Sequence, residues 1–196
     1  MDTPHALAFS LTDDEQANLA RLACRAIENG LSGGKKPGTG LPEPEEGALL
    51  SKAGAFVTLH SQGRLRGCIG NLMPREPLYM TVSRMAHAAA FQDPRFPPLQ
   101  QAEWSGVSLE ISVLSPPVRC PDPELIEVGR HGLVLAWRGR SGVFLPQVPV
   151  EQGWNRGQYL EALCGKANLP PGSWKEPGAE LYWFEALVFQ AKESKS

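Results

Sequence analysis

Two stretches of the chain are each written as a strand, a tight turn and a returning strand, and they constrain the fold more than any other feature. In "GAFVTLHSQGRLRGCIG", residues 54–70, two runs flank Gln62-Gly63, a dipeptide suited to a two-residue hairpin turn. In "HGLVLAWRGRSGVFLPQV", residues 131–148, a second pair of runs turns at "RGRSG". Strands joined this way must pair antiparallel. "VSLEISVLS" sets Val107, Leu109, Ile111 and Val113 against Ser108, Glu110 and Ser112, the alternation of a strand with one buried face. "ELYWFEALVFQA" reads as a closing strand. No regular strand–helix alternation is present, so the expectation is α+β, a largely antiparallel sheet with flanking helices.

The helices carry their own marks. Thr12 with Glu15 is a capping box, and Leu19, Leu22, Ala23, Ala26 and Ile27 follow as one apolar face, with Asn29-Gly30 as the expected stop. Pro77 opens a second helix with Leu78, Val82, Met85 and Ala89 on one stripe, and the three prolines around "DPRFPP" end it. A short helix is expected around Glu124 to Val128. Asn155 with Gln158 starts another, whose stripe is Leu160, Leu163, Cys164 and Ala167. Residues 32–47, with five glycines and three prolines, read as a flexible surface loop. Its "SGGKKPGTG" lacks the lysine–serine or lysine–threonine pair of a phosphate-binding loop.

Composition narrows the function classes. The net charge of −2 leaves no global basic field for nucleic acid or anionic lipid, and no RNA-recognition signature is present. The first residues show no basic region before an apolar run, and no apolar stretch is long enough for a bilayer, so a cytoplasmic protein without membrane contact is expected. Cys24, Cys68, Cys120 and Cys164 are scattered, which suits free thiols and indicates no metal site.

The stretch "RLRGCIGN" holds the candidate chemistry. On a regular strand Arg64, Arg66 and Cys68 share a face, and two guanidinium groups there favour a nucleophilic thiolate. Gly67 and Gly70 would let a ligand or another backbone approach. The opposing reading starts from the turn. If Ser61 pairs with Arg64, Cys68 falls opposite Val57 and Arg66 opposite Leu59, which buries the thiol among aliphatic side chains. A cysteine–histidine pair would draw on His60 or His131. Asp93 and Arg95 form either a local ion pair that fixes their loop or a charged surface for a ligand. Glu110 belongs to the polar face of its strand, and Trp154 reads first as a packing residue.

Taken together, "LRGCIG", "DPRFPPL", "SLEISVLS", "GRHGLVL" and "FLPQVPVEQGWNRGQYLEALCGKANLP" resemble the AMMECR family, whose prokaryotic members are similar to the A component of the AmmeMemoRadiSam system. The resemblance implies a single AMMECR-type domain over residues 1–196, with its core at 11–189, and two closely packed lobes with a cleft lined by "LRGCIG". It carries over as site residues Arg66, Gly67, Cys68, Ile69, Gly70, Asp93, Arg95 and Phe96, together with Glu110, His131, Gln147, Glu151 and Trp154. Asn71 stands where relatives often carry threonine. The implied companions are a Memo-type protein and a radical S-adenosylmethionine protein; no cofactor is specified. Two functions follow as expectations. One is a catalytic or small-molecule-handling component, with Cys68 as a nucleophilic or redox-active thiol activated by Arg66 and His131, and the other residues holding a small polar ligand. The other is a non-catalytic adaptor that docks on one of those partners.

Overall fold

Thr12 starts the first helix as its spacing from Glu15 requires. The Thr12 hydroxyl accepts the Glu15 N–H at 3.2 Å, and the Glu15 carboxylate accepts the Thr12 N–H at 2.9 Å. The structure, a computed structural model, describes residues 10–34 and 47–194; most of the loop expected at 32–47, and His5, lie outside them. Its helices are α1 (Asp13–Leu31), α2 (Leu78–Phe91), α3 (Gln147–Glu151) and α4 (Arg156–Lys166). The strands are β1 (Gly54–Ser61), β2 (Arg64–Asn71), β3 (Val107–Leu114), β4 (Val118–Arg119), β5 (Gly132–Trp137), β6 (Arg140–Phe144), β7 (Glu180–Phe184) and β8 (Ala186–Lys192). Single 3-10 turns include Gln101–Gly106, Pro123–Leu125 and Ser173–Lys175. The paired strands form two four-stranded sheets, in the orders β2-β1-β3-β8 and β4-β7-β5-β6. The fold is α+β, as expected.

The chain divides into two compact units. The first contains the described residues up to Leu114 and those from Leu187 onward. Its core lies on one face of the first sheet. Ala55, Val57 and Leu59 of β1 pair with Val113, Ile111 and Leu109 of β3, and all six are fully buried. Helix α2 packs on β1 and β2, and α1 packs on α2. The apolar face of α1 is the set its periodicity marks: Leu19, Leu22, Ala23, Ala26 and Ile27 are buried. Asn29-Gly30 does not stop the helix. It runs to Leu31, and Gly33, at φ 81°, is the left-handed residue. A Cβ on Gly30 would sit 2.3 Å from the Phe91 ring, so this glycine lets α2 come close.

The second unit is Ser115–Ala186. Leu133 and Leu135 of β5 face Trp183 and Leu181 of β7, and α4 adds Tyr159, Leu160, Leu163 and Cys164 to that core. Asn155 and Gln158 form the expected capping box. The helix expected around Glu124 to Val128 is one 3-10 turn. The closing strand is broken in two at Glu185. There the Ser115 N–H donates to the Glu185 carbonyl at 2.9 Å and the Glu185 N–H to Ser115 Oγ at 3.0 Å, so these backbone groups leave the ladder and the chain changes sheet. A uniform apolar–polar run cannot report such a switch.

Candidate functional site

The first hairpin turns at Gln62-Gly63, with φ of 51° and 72°, and Ser61 pairs with Arg64. Two residues later the register slips. His60 faces Leu65 but Leu59 faces Gly67, leaving Arg66 as the extra residue of a β-bulge. A slip of one residue exchanges the faces of everything beyond it. Cys68 therefore pairs with Thr58, not with Val57, and Arg66 does not oppose Leu59. Both expectations for the thiol fail on this point. Cys68 is not set among the core aliphatics, and it does not share a regular strand face with Arg64 and Arg66. It lies on the face turned away from the helices, with Phe56, Thr58, His60 and Glu110.

The bulge also sends Arg66 elsewhere. Its Nε and Nη2 donate to Glu103 Oε1 and Oε2 at 2.9 and 3.1 Å, and its side chain is only 11% exposed. Glu103 in turn accepts the Gln100 N–H at 2.9 Å. A bidentate pair of this kind holds the guanidinium rigidly. Its charge is committed to Glu103.

Asp93 and Arg95 form the local ion pair that their spacing allows, and they do more. Arg95 donates Nε to Asp93 Oδ1 at 2.9 Å, Nη2 to Oδ2 at 2.7 Å and its own N–H to Oδ1 at 3.1 Å. The Cys68 N–H donates to Asp93 Oδ2 at 2.9 Å, and the Cys68 carbonyl accepts from Arg95 Nη2 at 3.2 Å. Strand β2 is an edge strand, so these backbone groups of Cys68 would otherwise face outward unpaired. The loop after α2 thus caps the strand edge at the cysteine and fixes its backbone from both sides. Asp93 is buried, and the Arg95 guanidinium beside it holds its carboxyl well below the usual carboxylate range; burial opposes this, and the two N–H donors reinforce it. Phe96 completes the loop, its ring lying 5.5 Å beneath the Arg95 guanidinium.

On the outward face the thiol belongs to a row that crosses the sheet. Thr58 Oγ1 donates to Cys68 Sγ at 3.3 Å; Thr58 pairs with Glu110 on β3; and Gln190 Nε2 on β8 donates to Glu110 Oε2 at 3.2 Å. One side chain per strand lines up, about 4.8 Å from strand to strand. Burial pushes the Cys68 thiol up from its ordinary value, with Thr58 and Arg95 pulling it down and Asp93 and Glu110 pushing it up. The resting group is a protonated, half-buried thiol, and Arg95 is the positive charge that acts on it.

The remaining expected residues are distributed as follows. Gly67 lies under α2, where a Cβ would meet the Ala89 carbonyl at 2.2 Å, so its close approach is to the helix backbone. Ile69 packs against the core. Gly70 sits on the outward face under the Phe56 ring. His131 belongs to the second unit and is buried there; its Nδ1 accepts the Glu127 N–H at 3.1 Å, its ring lies 4.4 Å from Trp183, and its carbonyl accepts the Tyr159 hydroxyl. On α3, Glu151 is exposed, while Gln147 Oε1 is buried without a hydrogen-bond partner among the described residues. Trp154 packs edge-on against Phe144 at 5.6 Å. Thr58, Glu103 and Gln190 were not marked by any sequence motif. Thr58 needs the bulge to meet the cysteine, and Gln190 needs the strand order. Among the described residues no cluster of three or more His, Cys, Asp or Glu side chains could hold a metal ion, and no helix is long and apolar enough to cross a membrane.

Two antiparallel sheets with flanking helices, and a cysteine held at a capped strand edge within "RGCIG", define an α+β protein of the class the motifs suggest. The AMMECR1 family model matches residues 20–189, and the chain belongs to the AMMECR1 family. Protein MK0488 of Methanopyrus kandleri is 43% identical over 192 residues, covering 93% of this chain and 91% of that protein. Protein MJ0810 of Methanocaldococcus jannaschii is 40% identical, with 94% of each chain covered. The crystal structure of the uncharacterized protein PH0010 from Pyrococcus horikoshii superposes with a TM-score of 0.83 at 38% identity, covering 95% of this chain and 96% of that one.

Proposed function

We propose that the protein is a single AMMECR-type domain that handles a small polar molecule on the outward face of its first sheet, at the row formed by Cys68, Thr58, Glu110 and Gln190. The observation that carries this reading is the clamp on Cys68. A buried carboxylate with four N–H donors is a large investment of polar groups at one position of an edge strand, and it places a thiol that stays partly open to solvent. A pre-positioned backbone of this kind reduces the ordering needed when a ligand arrives. Thr58 offers a hydroxyl beside the sulfur, Glu110 offers an acceptor one strand further along the row, and the Asp93-paired Arg95 lowers the cost of negative charge on the thiol. The thiol would react only after losing its proton.

Alkylation of Cys68 by iodoacetamide tests the reading. A small molecule seated on the row shields the sulfur, so fractionated metabolites from a cell extract should include one that slows alkylation saturably in the parent chain. The same fraction should not bind Glu110→Ala. Failure of every fraction to protect Cys68 sinks the proposal.

The adaptor reading has its own observation. Leu65 on β2 and Met73, two residues beyond its end, are 41% and 74% exposed, so the strand that carries Cys68 is flanked by exposed apolar side chains. The resemblance to the A component of the AmmeMemoRadiSam system supports a Memo-like or radical S-adenosylmethionine protein as the docking partner. Purified partners that fail to bind at micromolar concentration would remove this reading.

A further inference from the structure

The second unit contains a pocket that plays no part in the reading above. It has a volume of about 570 Å³, within the range of small-molecule sites. One wall is the tip of the β5–β6 hairpin, carrying Trp137, Arg138 and Arg140; the other carries Pro170, Pro171 and Glu176. Both walls are built before any ligand arrives. The hairpin tip is a two-residue turn with Arg138 and Gly139 at φ 49° and 73°. Opposite it, two prolines restrict the chain, Ser173 Oγ donates to the Pro170 carbonyl at 2.7 Å, and the Gly172 N–H donates to Glu161 Oε2 at 2.8 Å.

The two cations at this pocket are held without being neutralised. Arg138 stacks its guanidinium 4.1 Å above the Trp137 ring, which leaves its N–H edges free. Arg140 donates Nη1 to the Asn168 carbonyl, a neutral acceptor. Among the described residues neither guanidinium is in an ion pair. Glu180, in the adjoining depression, is paired with Arg119 at 3.8 Å. Six of the other ten arginines, by contrast, are paired with a carboxylate. Two adjacent guanidinium groups, fixed by stacking and by a carbonyl, match a doubly charged oxyanion, to which each can donate two parallel hydrogen bonds. Trp137 on one wall and the two prolines on the other give the body of the ligand apolar surface, and Glu176 accepts from a hydroxyl.

We infer that this pocket binds a small organic phosphate, a phosphate monoester on a hydroxyl-bearing body, with Arg138 and Arg140 on the phosphate. The phosphate supplies close to two negative charges at neutral pH, which one carboxylate does not.

The test uses the full chain labelled with ¹⁵N and titrated with ribose 5-phosphate, with ribose and with inorganic phosphate. Ribose 5-phosphate should move the Trp137 indole signal saturably, at concentrations on the order of 1 mM or below. Inorganic phosphate should compete more weakly and ribose should have no effect. Arg138→Ala/Arg140→Ala should weaken the response at least about tenfold. Equal shifts with ribose, no saturable shift with ribose 5-phosphate, or an unchanged response in the double variant would each overturn the assignment. If melting shows the double variant unfolded, Arg138→Ala decides alone, since that side chain is exposed and stacks on the Trp137 ring. None of these readouts involves Cys68, so failure here leaves the first-sheet proposal standing, and the reverse.

Discussion

The two hairpins of the molecule are built to one plan and differ by one residue. Each turns through two residues at positive φ, Gln62-Gly63 in one and Arg138-Gly139 in the other. Each carries in its second strand a glycine on which a helix rests. A Cβ on Gly67 would lie 2.2 Å from the Ala89 carbonyl, and one on Gly142 would lie 2.7 Å from the Ala167 nitrogen. The second hairpin keeps strict register from Trp137–Arg140 to Leu133–Phe144, whereas the first inserts Arg66. The regular hairpin keeps one alternation throughout. The bulged one turns Gly67 to the core and Cys68 outward, so one inserted residue both seats the helix and presents the thiol.

The largest effect that would break this comparison is at the glycines. Gly67→Ala and Gly142→Ala should each lose about 3 kcal/mol of stability in urea denaturation, because the obstruction is helix backbone and cannot swing aside. A near-neutral Gly67→Ala would mean that α2 does not rest on the strand, and the shared plan would be lost.

Next comes the clamp that only the bulged hairpin possesses. Asp93→Asn replaces an acceptor of four donors by a group that itself donates, and it should cost about 2.5 kcal/mol. Asp93 titrates in the folded protein well below its value in the unfolded chain. Its contribution is therefore complete above the unfolded value of about 4 and is lost as the pH falls below that toward the folded value. Stability of the parent should fall over that acid window more steeply than that of Asp93→Asn. Parallel curves would refute the clamp. A smaller loss, about 1.5 kcal/mol, is expected for Arg66→Ala, since Glu103 is 37% exposed and can turn to water when its partner goes.

How much of this could be read from the sequence follows from the range of each interaction. The hairpin turns, the capping boxes at Thr12–Glu15 and Asn155–Gln158, and the apolar faces of α1 and α4 are patterns within a few residues, and the structure reproduces them. The bulge is not local. Arg66 leaves the ladder for Glu103, 37 residues on, and nothing within "RLRGCIGN" announces that partner. With the register read as unbroken, the faces of the strand came out reversed beyond Arg66. Both sequence readings of Cys68 therefore give it wrong neighbours. The row reaching Gln190 depends on β8 lying beside β3, which is a fact of strand order. Asp93 and Arg95 were visible because they are two residues apart; their hold on Cys68, 25 residues earlier, was not.

The smallest predicted effect separates the two environments of the thiol most sharply. If Cys68 lies in the row, two substitutions on its own face must move its titration in opposite senses. Thr58→Val removes a hydroxyl that favours the thiolate, so the pH midpoint of Cys68 alkylation should rise. Glu110→Gln removes a negative charge that disfavours it, so the midpoint should fall. The parent itself should alkylate with a midpoint above that of a free cysteine, because burial is the largest influence on the group. The register without a bulge predicts something different. There Val57 stands beside the sulfur, Thr58 and Glu110 face away from it, and Val57→Ala becomes the substitution that matters by exposing the thiol. Opposite shifts for Thr58→Val and Glu110→Gln, with Val57→Ala leaving the midpoint in place, can arise only if the strand slips at Arg66.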